Sequence, residues 1–343
     1  MSLQQSIDEI KPAMWEDAFP IGTFQGLEVD KVISRPFSRV ARCLVKGSAE
    51  TRAVFVKVYR NIMDKPSAEY VEKIQREYDI TKFWYELLEG SEQFCVVKPL
   101  LVLPEKFIFV SEESRGENLF DMITQNAGFF SSSADMEQLT KAMFNVGSWL
   151  QYKETRLSPE EGLYSIPDLL DYVNVRLEIL DALPGKPLPL SYQQRIRAFF
   201  RSYGDTVADE ERRMTITHSD FNPGNILVDN ETVTVLDFGR RVTESYLLDV
   251  CKLHFQLYVL TFKPQFRSAT IAKLQKALLD GFGDPNADQK LMFRFLTIRN
   301  IITHLTNLQR SKQPSVKARV YNQYVLRKEL KRLDELLKDI PKI

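Results

Sequence analysis

Thr217-His218-Ser219-Asp220-Phe221-Asn222-Pro223-Gly224-Asn225, followed by Asp237-Phe238-Gly239, is the stretch that decides the fold of this chain. Between the two motifs, Ile226-Leu227-Val228 and Val233-Thr234-Val235-Leu236 flank Asp229-Asn230-Glu231, the pattern of a β-hairpin. Antiparallel pairing brings the start of one strand beside the end of the next, so the hairpin is expected to carry Asn225 to Asp237. A carboxylate and an amide oxygen are hard donors of the kind Mg²⁺ prefers. Asp220 adds a second carboxylate on the preceding loop. Phosphoryl transfer asks for such parts: a carboxylate to orient and deprotonate a hydroxyl, oxygen ligands for the metal, and a cation against the phosphates. Asp-Phe-Gly alone is a common turn, so the ordered set carries the reading.

Outward from this stretch the chain divides in texture. The alternation in Val54-Phe55-Val56-Lys57-Val58-Tyr59 predicts a strand, and Arg42 to Lys46 a second, with a turn over Lys46-Gly47-Ser48-Ala49-Glu50. Ser67 to Leu88 is helical, with Val71, Ile74, Tyr78 and Thr81 at helical steps and Gly90 as its stop. Strands are expected over Cys95 to Val102 and Lys106 to Val110. Amphipathic helices follow over 118–127, 135–155, 167–182 and 191–210, with a loop at Pro184-Gly185-Lys186-Pro187, and helix again from Ser245 to the end. Lys57 shares a strand face with Phe55 and Tyr59, which leaves its ammonium among aromatics unless an anion meets it.

His-x-Asp followed by Asn225 and then Asp-Phe-Gly resembles the catalytic core of the protein-kinase-like superfamily. The His-Ser-Asp-Phe-Asn-Pro-Gly-Asn form is most similar to the aminoglycoside phosphotransferase and choline kinase family. The resemblance implies an α+β, bilobal protein-kinase-like fold: a small N-terminal antiparallel sheet with one helix, and a larger, mainly helical C-terminal lobe. The expected division is 1–112 as the nucleotide-binding lobe and 113–343 as the catalytic and substrate-binding lobe. The family pattern puts Asp220 in the role of catalytic base, Asn225 and Asp237 as Mg²⁺ ligands, Lys57 as the phosphate-binding lysine and Glu77 as its ion-pair partner. Ser111 to Gly116 resembles the hinge that contacts the base, with Glu112 and Ser114 as contacts. The implied cofactors are Mg²⁺ and ATP, with GTP as an alternative, and the partners a nucleotide and a small-molecule acceptor. Matched pieces run from about residue 30 to about 250.

Departures from the pattern are informative. The loop Ser34-Arg35-Pro36-Phe37-Ser38-Arg39 has no glycine, so a glycine-rich phosphate flap is absent; antibiotic kinases of the resembled family often carry a serine-bearing loop there, and the resemblance implies Ser34 and Ser38 as phosphate contacts. Arg240 and Arg241 follow the Asp-Phe-Gly motif, either to meet an anion or to pair with Glu244 and Asp249. His218 is read as a structural residue of the loop, and Asp249 as a brace for it or a first-turn helix acid. Protein kinases usually carry Lys or Arg two residues after the catalytic Asp and a long activation segment after Asp-Phe-Gly. This chain has Asn222 and no such segment, which favours a small acceptor. The rival readings are a kinase-like nucleotide-binding pseudoenzyme and an atypical protein kinase.

Composition excludes several classes. The 46 basic and 46 acidic residues of this 343-residue chain cancel, so net charge draws it to neither nucleic acid nor membrane. The most apolar run, Phe94 to Val110, is broken by Lys98, Pro99, Pro104, Glu105 and Lys106 and is too interrupted to span a bilayer. Met1 to Asp17 is mixed and polar, with no secretory pattern. Cys43, Cys95 and Cys251 form no CxxC pair and suit a reducing compartment, so a cytoplasmic location is expected. No zinc-ligand spacing, P-loop or GxGxxG is present. For the acceptor, Asp168, Asp171, Glu178, Asp181 and Glu244 offer an acidic wall for a polycationic sugar. Tyr164, Tyr172, Tyr246 and Tyr258 offer an aromatic cage for an amino alcohol.

Overall fold

A computed structural model of the chain describes residues 3–35, 37–60, 67–128, 131–158, 160–183, 187–309 and 315–339. In chain order the elements are α1 (Leu3–Ile7), α2 (Pro12–Ala18), β1 (Phe24–Ser34), β2 (Ser38–Gly47), β3 (Thr51–Tyr59), α3 (Ser67–Leu87), β4 (Phe94–Val96), β5 (Pro99–Leu103), β6 (Ile108–Glu112) and β7 (Glu117–Asn118). They continue with α4 (Leu119–Asn126), α5 (Ser133–Arg156), α6 (Ile166–Ala182), α7 (Leu190–Tyr203), β8 (Met214–Thr217), β9 (Ile226–Asp229), β10 (Thr232–Val235) and β11 (Val242–Ser245). Four helices close the chain: α8 (Leu248–Leu260), α9 (Ser268–Phe282), α10 (Leu291–Gln309) and α11 (Val316–Leu336). The mixed α+β class with an N-terminal antiparallel sheet is as expected.

The chain forms two compact units, Met1–Leu119 with Gly224–Arg241, and Phe120–Pro223 with Val242–Ile343. The division expected from sequence, 1–112 and 113–343, is a single cut. The compact units instead cut after Leu119 and return the hairpin to the first unit. Backbone pairing explains the return: β10 lies parallel to β4, and β9 lies antiparallel to β7.

In the first unit a five-stranded sheet runs β1-β2-β3-β6-β5, antiparallel at every step. Alternation sorts its side chains. Ala41, Cys43, Val45, Val54, Val56, Ile108 and Val110 pack on one face with Ile7, Ile10, Trp15 and Phe19 from the α1–α2 region. Tyr59 and Phe109 pack with Tyr70 and Ile74 of α3. Sequence reading left the first 17 residues without structure; the sheet supplies the tertiary burial that such short helices need to persist. The single strand expected over Cys95 to Val102 is two, β4 and β5, in different sheets.

Among the described residues, the strands of the second unit are β8 and β11, an antiparallel pair that periodicity did not reveal. The helix expected over 191–210 ends at Tyr203, and among the described residues after Ser245 the α-helices are α8 to α11. Of the expected Pro184 to Pro187 loop, Pro184, Gly185 and Lys186 lie outside the described residues. No helix among the described residues is long and apolar enough to cross a membrane.

Helices α5 and α9 meet through glycines. A Cβ on Gly281 would overlap the Phe144 carbonyl oxygen, and one on Gly147 the Leu278 carbonyl oxygen. Both obstacles are helix backbone and cannot rotate away. Gly281→Val is therefore expected to destabilise the second unit by ~3 kcal/mol or more, the upper range of overpacking penalties. Chemical denaturation of the variant checks this; an unchanged midpoint refutes the close approach.

Candidate active site

The first unit assembles one group of the expected residues. Lys57, near the end of β3, places its Nζ 2.7 Å from Glu77 Oε1 and 2.8 Å from Asp237 Oδ1. The same ammonium lies 4.9 Å from the centre of the Tyr59 ring. Glu77 projects from α3 and is buried. Burial by itself pulls the Lys57 pKa down, but the charges of Glu77 and Asp237 outweigh it and the net shift is upward, so the ammonium stays charged. The Tyr59 phenol is pushed well above its ordinary value by burial and then by the charge of Glu77. This is the aromatic setting with a compensating anion that the pattern of β3 implied.

The hairpin places the remaining first-unit residues. Val235 pairs with Ile226, and the next step is a hydrogen bond from the Leu236 N–H to the Asn225 carbonyl, 2.9 Å. Asn225 and Asp237 therefore flank the open end of the hairpin. Asp237 adopts the left-handed conformation, φ 64°. Such backbone is uncommon outside glycine, is tolerated by Asp and Asn, and recurs at functional sites. The next residue anchors it: Phe238 is fully buried and stacks on Trp84 of α3 with ring centroids 5.6 Å apart. On the other side, the Asn118 amide donates to the Gly224 carbonyl at 2.8 Å. Amide and carboxylate oxygens at the hairpin mouth suit Mg²⁺, which takes one or two protein carboxylates and completes its shell with phosphates and water. Among the described residues no group of three or more His, Cys, Asp and Glu could hold a metal unaided.

The expected nucleotide contacts are placed less uniformly. Ser34 is exposed at the end of β1, whereas Ser38 is buried opposite Tyr59. Pro36, in the loop between them, lies outside the described residues. Glu112 ends β6 with its N–H on the Lys98 carbonyl, and the Glu113 N–H is taken by Ala53. The Glu113 carboxylate grips Arg42 at 2.6 and 2.8 Å. Ser114 is half-buried. Arg241 lays its guanidinium 4.0 Å from the Phe83 ring centre.

The second unit holds Asp220. Strand β8 delivers the chain into His218, which is fully buried, and Ser219 takes φ 62°. The Asp220 N–H donates to His218 Nδ1 at 3.2 Å, so the ring proton belongs on Nε2. His218 thus ties the loop to its own backbone. Asp249, at the start of α8, accepts the N–H groups of His218 (2.8 Å) and Ser219 (3.2 Å). It is braced by the buried Lys153, whose Nζ is 3.2 Å from Asp249 and 3.0 Å from Glu154. Burial lowers the Lys153 pKa, but Asp249 and Glu154 raise it more, so the buried ion pair holds. Phe221 stacks on Trp149 with centroids 5.6 Å apart. Lys252, which sequence reading passed over, places its Nζ 2.7 Å from Asp220 Oδ1 and 2.8 Å from the Ser219 carbonyl.

Several of the residues expected to meet an acceptor have partners of their own. Glu244 is paired with Arg299 at 2.8 Å and accepts from the Tyr164 hydroxyl, and Asp249 accepts the N–H groups of the loop. The Tyr172 ring has Arg176 at 3.4 Å and Arg299 at 4.3 Å, and the Tyr246 ring has Arg213 at 4.4 Å. These rings already hold cations of the chain itself. Asp168, Asp171 and Glu178 are exposed along α6. A cavity of ≈ 580 Å³ in the second unit is lined by residues including His254, Tyr258, Gln275 and Arg332, and neither Asp220 nor Lys252 lines it.

Comparison with known proteins agrees with the class these features define. Residues 165–285, which include Asp220, Asn225 and Asp237, match the phosphotransferase enzyme family, the family whose motifs the chain resembles. A putative aminoglycoside phosphotransferase from Ralstonia eutropha JMP134 is similar in structure, with a TM-score of 0.63 at 13% identity over 98% of this chain and 99% of that one. The amicoumacin kinase hAmiN, in complex with AMP-PNP, Ca²⁺ and Ami, gives 0.57 at 13% identity over 96% of each chain. Choline kinase from Cryptosporidium parvum gives 0.55 at 12% identity over 91% of this chain and 90% of that one. No curated protein matches in sequence. The fold is therefore that of the protein-kinase-like phosphotransferases.

Proposed function

We propose that this chain is a small-molecule kinase that transfers the terminal phosphoryl group of ATP, or of GTP, to a hydroxyl of a sugar, aminoglycoside or amino-alcohol type acceptor. The observation that carries the reading is the ammonium of Lys57 held between Glu77 and Asp237, residues 20 and 180 positions away in sequence. A half-buried cation held between two carboxylates, one of them buried, keeps its charge where a phosphate can meet it.

In this reading Lys57, kept in place by Glu77, neutralises the phosphates. Asn225 and Asp237 would hold Mg²⁺, which when bound screens phosphate charge. Asp220 orients the acceptor hydroxyl and takes its proton as the new oxygen–phosphorus bond forms. The bond to the leaving nucleoside diphosphate breaks with its electron pair on that oxygen. Because the transition state is loose, orientation by Asp220 counts for more than its basicity. Glu112, Ser114, Ser34 and Ser38 stand as proposed nucleotide contacts, Ser38 being buried in this structure. A small acceptor is favoured over a peptide because α8 begins at Leu248, so only residues 240–247 separate it from Gly239, too few for a peptide-docking segment. A cytoplasmic location remains part of the proposal.

Thermal unfolding tests the nucleotide half: Mg-ATP or Mg-GTP at 100 times its Kd is expected to stabilise the protein by about 2.7 kcal/mol, and EDTA to remove most of that. A panel of hydroxyl acceptors then tests transfer. Absence of any shift with either nucleotide refutes the reading, and binding without transfer to any acceptor favours a nucleotide-sensing pseudoenzyme.

A further inference from the structure

We propose that Lys252 is a positioning residue for the transfer reaction, holding the Asp220 carboxylate in its working orientation from near the start of α8. The inference rests on Asp220 being the catalytic base. Lys252 Nζ bridges two acceptors, Asp220 Oδ1 at 2.7 Å and the Ser219 carbonyl at 2.8 Å. One donor thus ties the side chain of the base to the backbone of the residue before it. That backbone needs tying, because Ser219 sits at φ 62°, a conformation a non-glycine residue keeps only when its surroundings enforce it.

The arrangement is complementary along one helix. Asp249 and Lys252 are three residues apart and share a face of α8. Asp249 accepts the loop's N–H groups at His218 and Ser219, while Lys252 donates to the loop's carbonyl and carboxylate oxygens. Protein kinases usually place a cation two residues after the catalytic Asp. Here that position is Asn222, whose amide instead donates to the Asp220 carbonyl at 2.9 Å. The cation beside the base is delivered from α8.

A purely structural role fits poorly. The Asp220 side chain is 61% exposed. Ion pairs at such exposed carboxylates contribute little to folding stability. Orientation at a reacting centre is a different matter, since a displacement of about 1 Å there costs on the order of a hundredfold in rate.

The test uses the full chain with Mg-ATP and follows its hydrolysis, water serving as acceptor, alongside Mg-ATP affinity by calorimetry. Lys252→Met is expected to lower turnover about tenfold to a hundredfold with Mg-ATP affinity and melting temperature unchanged. Lys252→Arg should restore most of it. In an Asp220→Asn background, Lys252→Met should change turnover less than about twofold, because a residue acting through Asp220 has nothing left to act on. Amide hydrogen exchange across residues 217–222 gives a readout independent of turnover: it should rise in Lys252→Met and stay near wild type in Lys252→Arg. Wild-type turnover, independent multiplication of the two losses, or unaltered exchange in Lys252→Met overturns the proposal. Full activity in Asp220→Asn overturns the base assignment instead, an outcome the single Lys252 variants do not produce.

Discussion

Asp220→Asn is expected to lower kcat by about two to four orders of magnitude, the range over which a positioned general base contributes. The substitution is close to isosteric, and its anchors survive. The backbone N–H still reaches His218 Nδ1, and the new amide oxygen can still accept from Lys252. What disappears is the charged acceptor that orients the substrate hydroxyl and then draws its proton. Because 61% of the side chain is exposed, the melting temperature should move little. Mg-nucleotide affinity should also be unaltered, since the groups assigned to the nucleotide and metal are Lys57, Asn225 and Asp237. Steady-state kinetics with an accepted substrate, or Mg-ATP hydrolysis before one is identified, measures the effect. A loss smaller than about tenfold would remove Asp220 from the role of base.

Much of this site could be read in the sequence because its parts are local. Asp220 and Asn225 are held by a short loop, and Asn225 meets Asp237 through a hairpin whose turn and alternation are plain in Ile226 to Leu236. Lys57 was legible through the chemistry of its strand face, with Phe55 and Tyr59 as neighbours and an anion required. The long periodic elements, α3, α5 and α6, came close to their expected ends for the same reason. Other features depend on partners far away in the chain. The parallel pairing of β4 with β10 joins residues some 140 positions apart, and no local pattern announces it. That pairing splits the expected strand over Cys95 to Val102 and draws the hairpin into the first unit. Helices α1 and α2 were invisible because their apolar residues serve a sheet not yet formed when they are read alone. Lys252 and Lys153 look like ordinary helix lysines. Only the spacing of Asp249 and Lys252 on one face of α8 hinted at a shared task, and the strained loop that the pair holds was needed to give the spacing meaning.

Asp237→Ala is expected to raise the Kd for Mg-ATP by at least about a hundredfold, the scale of truncating one partner of a hydrogen-bonded charged site. In the wild type the carboxylate meets the Lys57 ammonium at 2.8 Å and stands beside Asn225 at the hairpin mouth, where it would supply the charged metal ligand. Without it the amide oxygen of Asn225 alone is a poor site for a divalent ion. Lys57 loses one of its two anions but keeps Glu77 at 2.7 Å, so a cation remains for the phosphates. The variant should therefore bind metal-free ATP at least as well as the wild type does in EDTA, since a carboxylate facing the phosphates has gone. This reversal of metal dependence separates loss of a ligand from general damage, which would weaken both forms alike. A second control addresses the backbone. Alanine at φ 64° costs about 1–2 kcal/mol, whereas asparagine tolerates the left-handed region and retains an oxygen. Asp237→Asn should accordingly fold as the wild type does while showing an intermediate Kd for Mg-ATP. Calorimetry with and without EDTA on the three proteins decides the matter. Wild-type Mg-ATP affinity in Asp237→Ala would place the metal elsewhere and leave the pairing of Asp237 with Lys57 as a bond that serves only the fold.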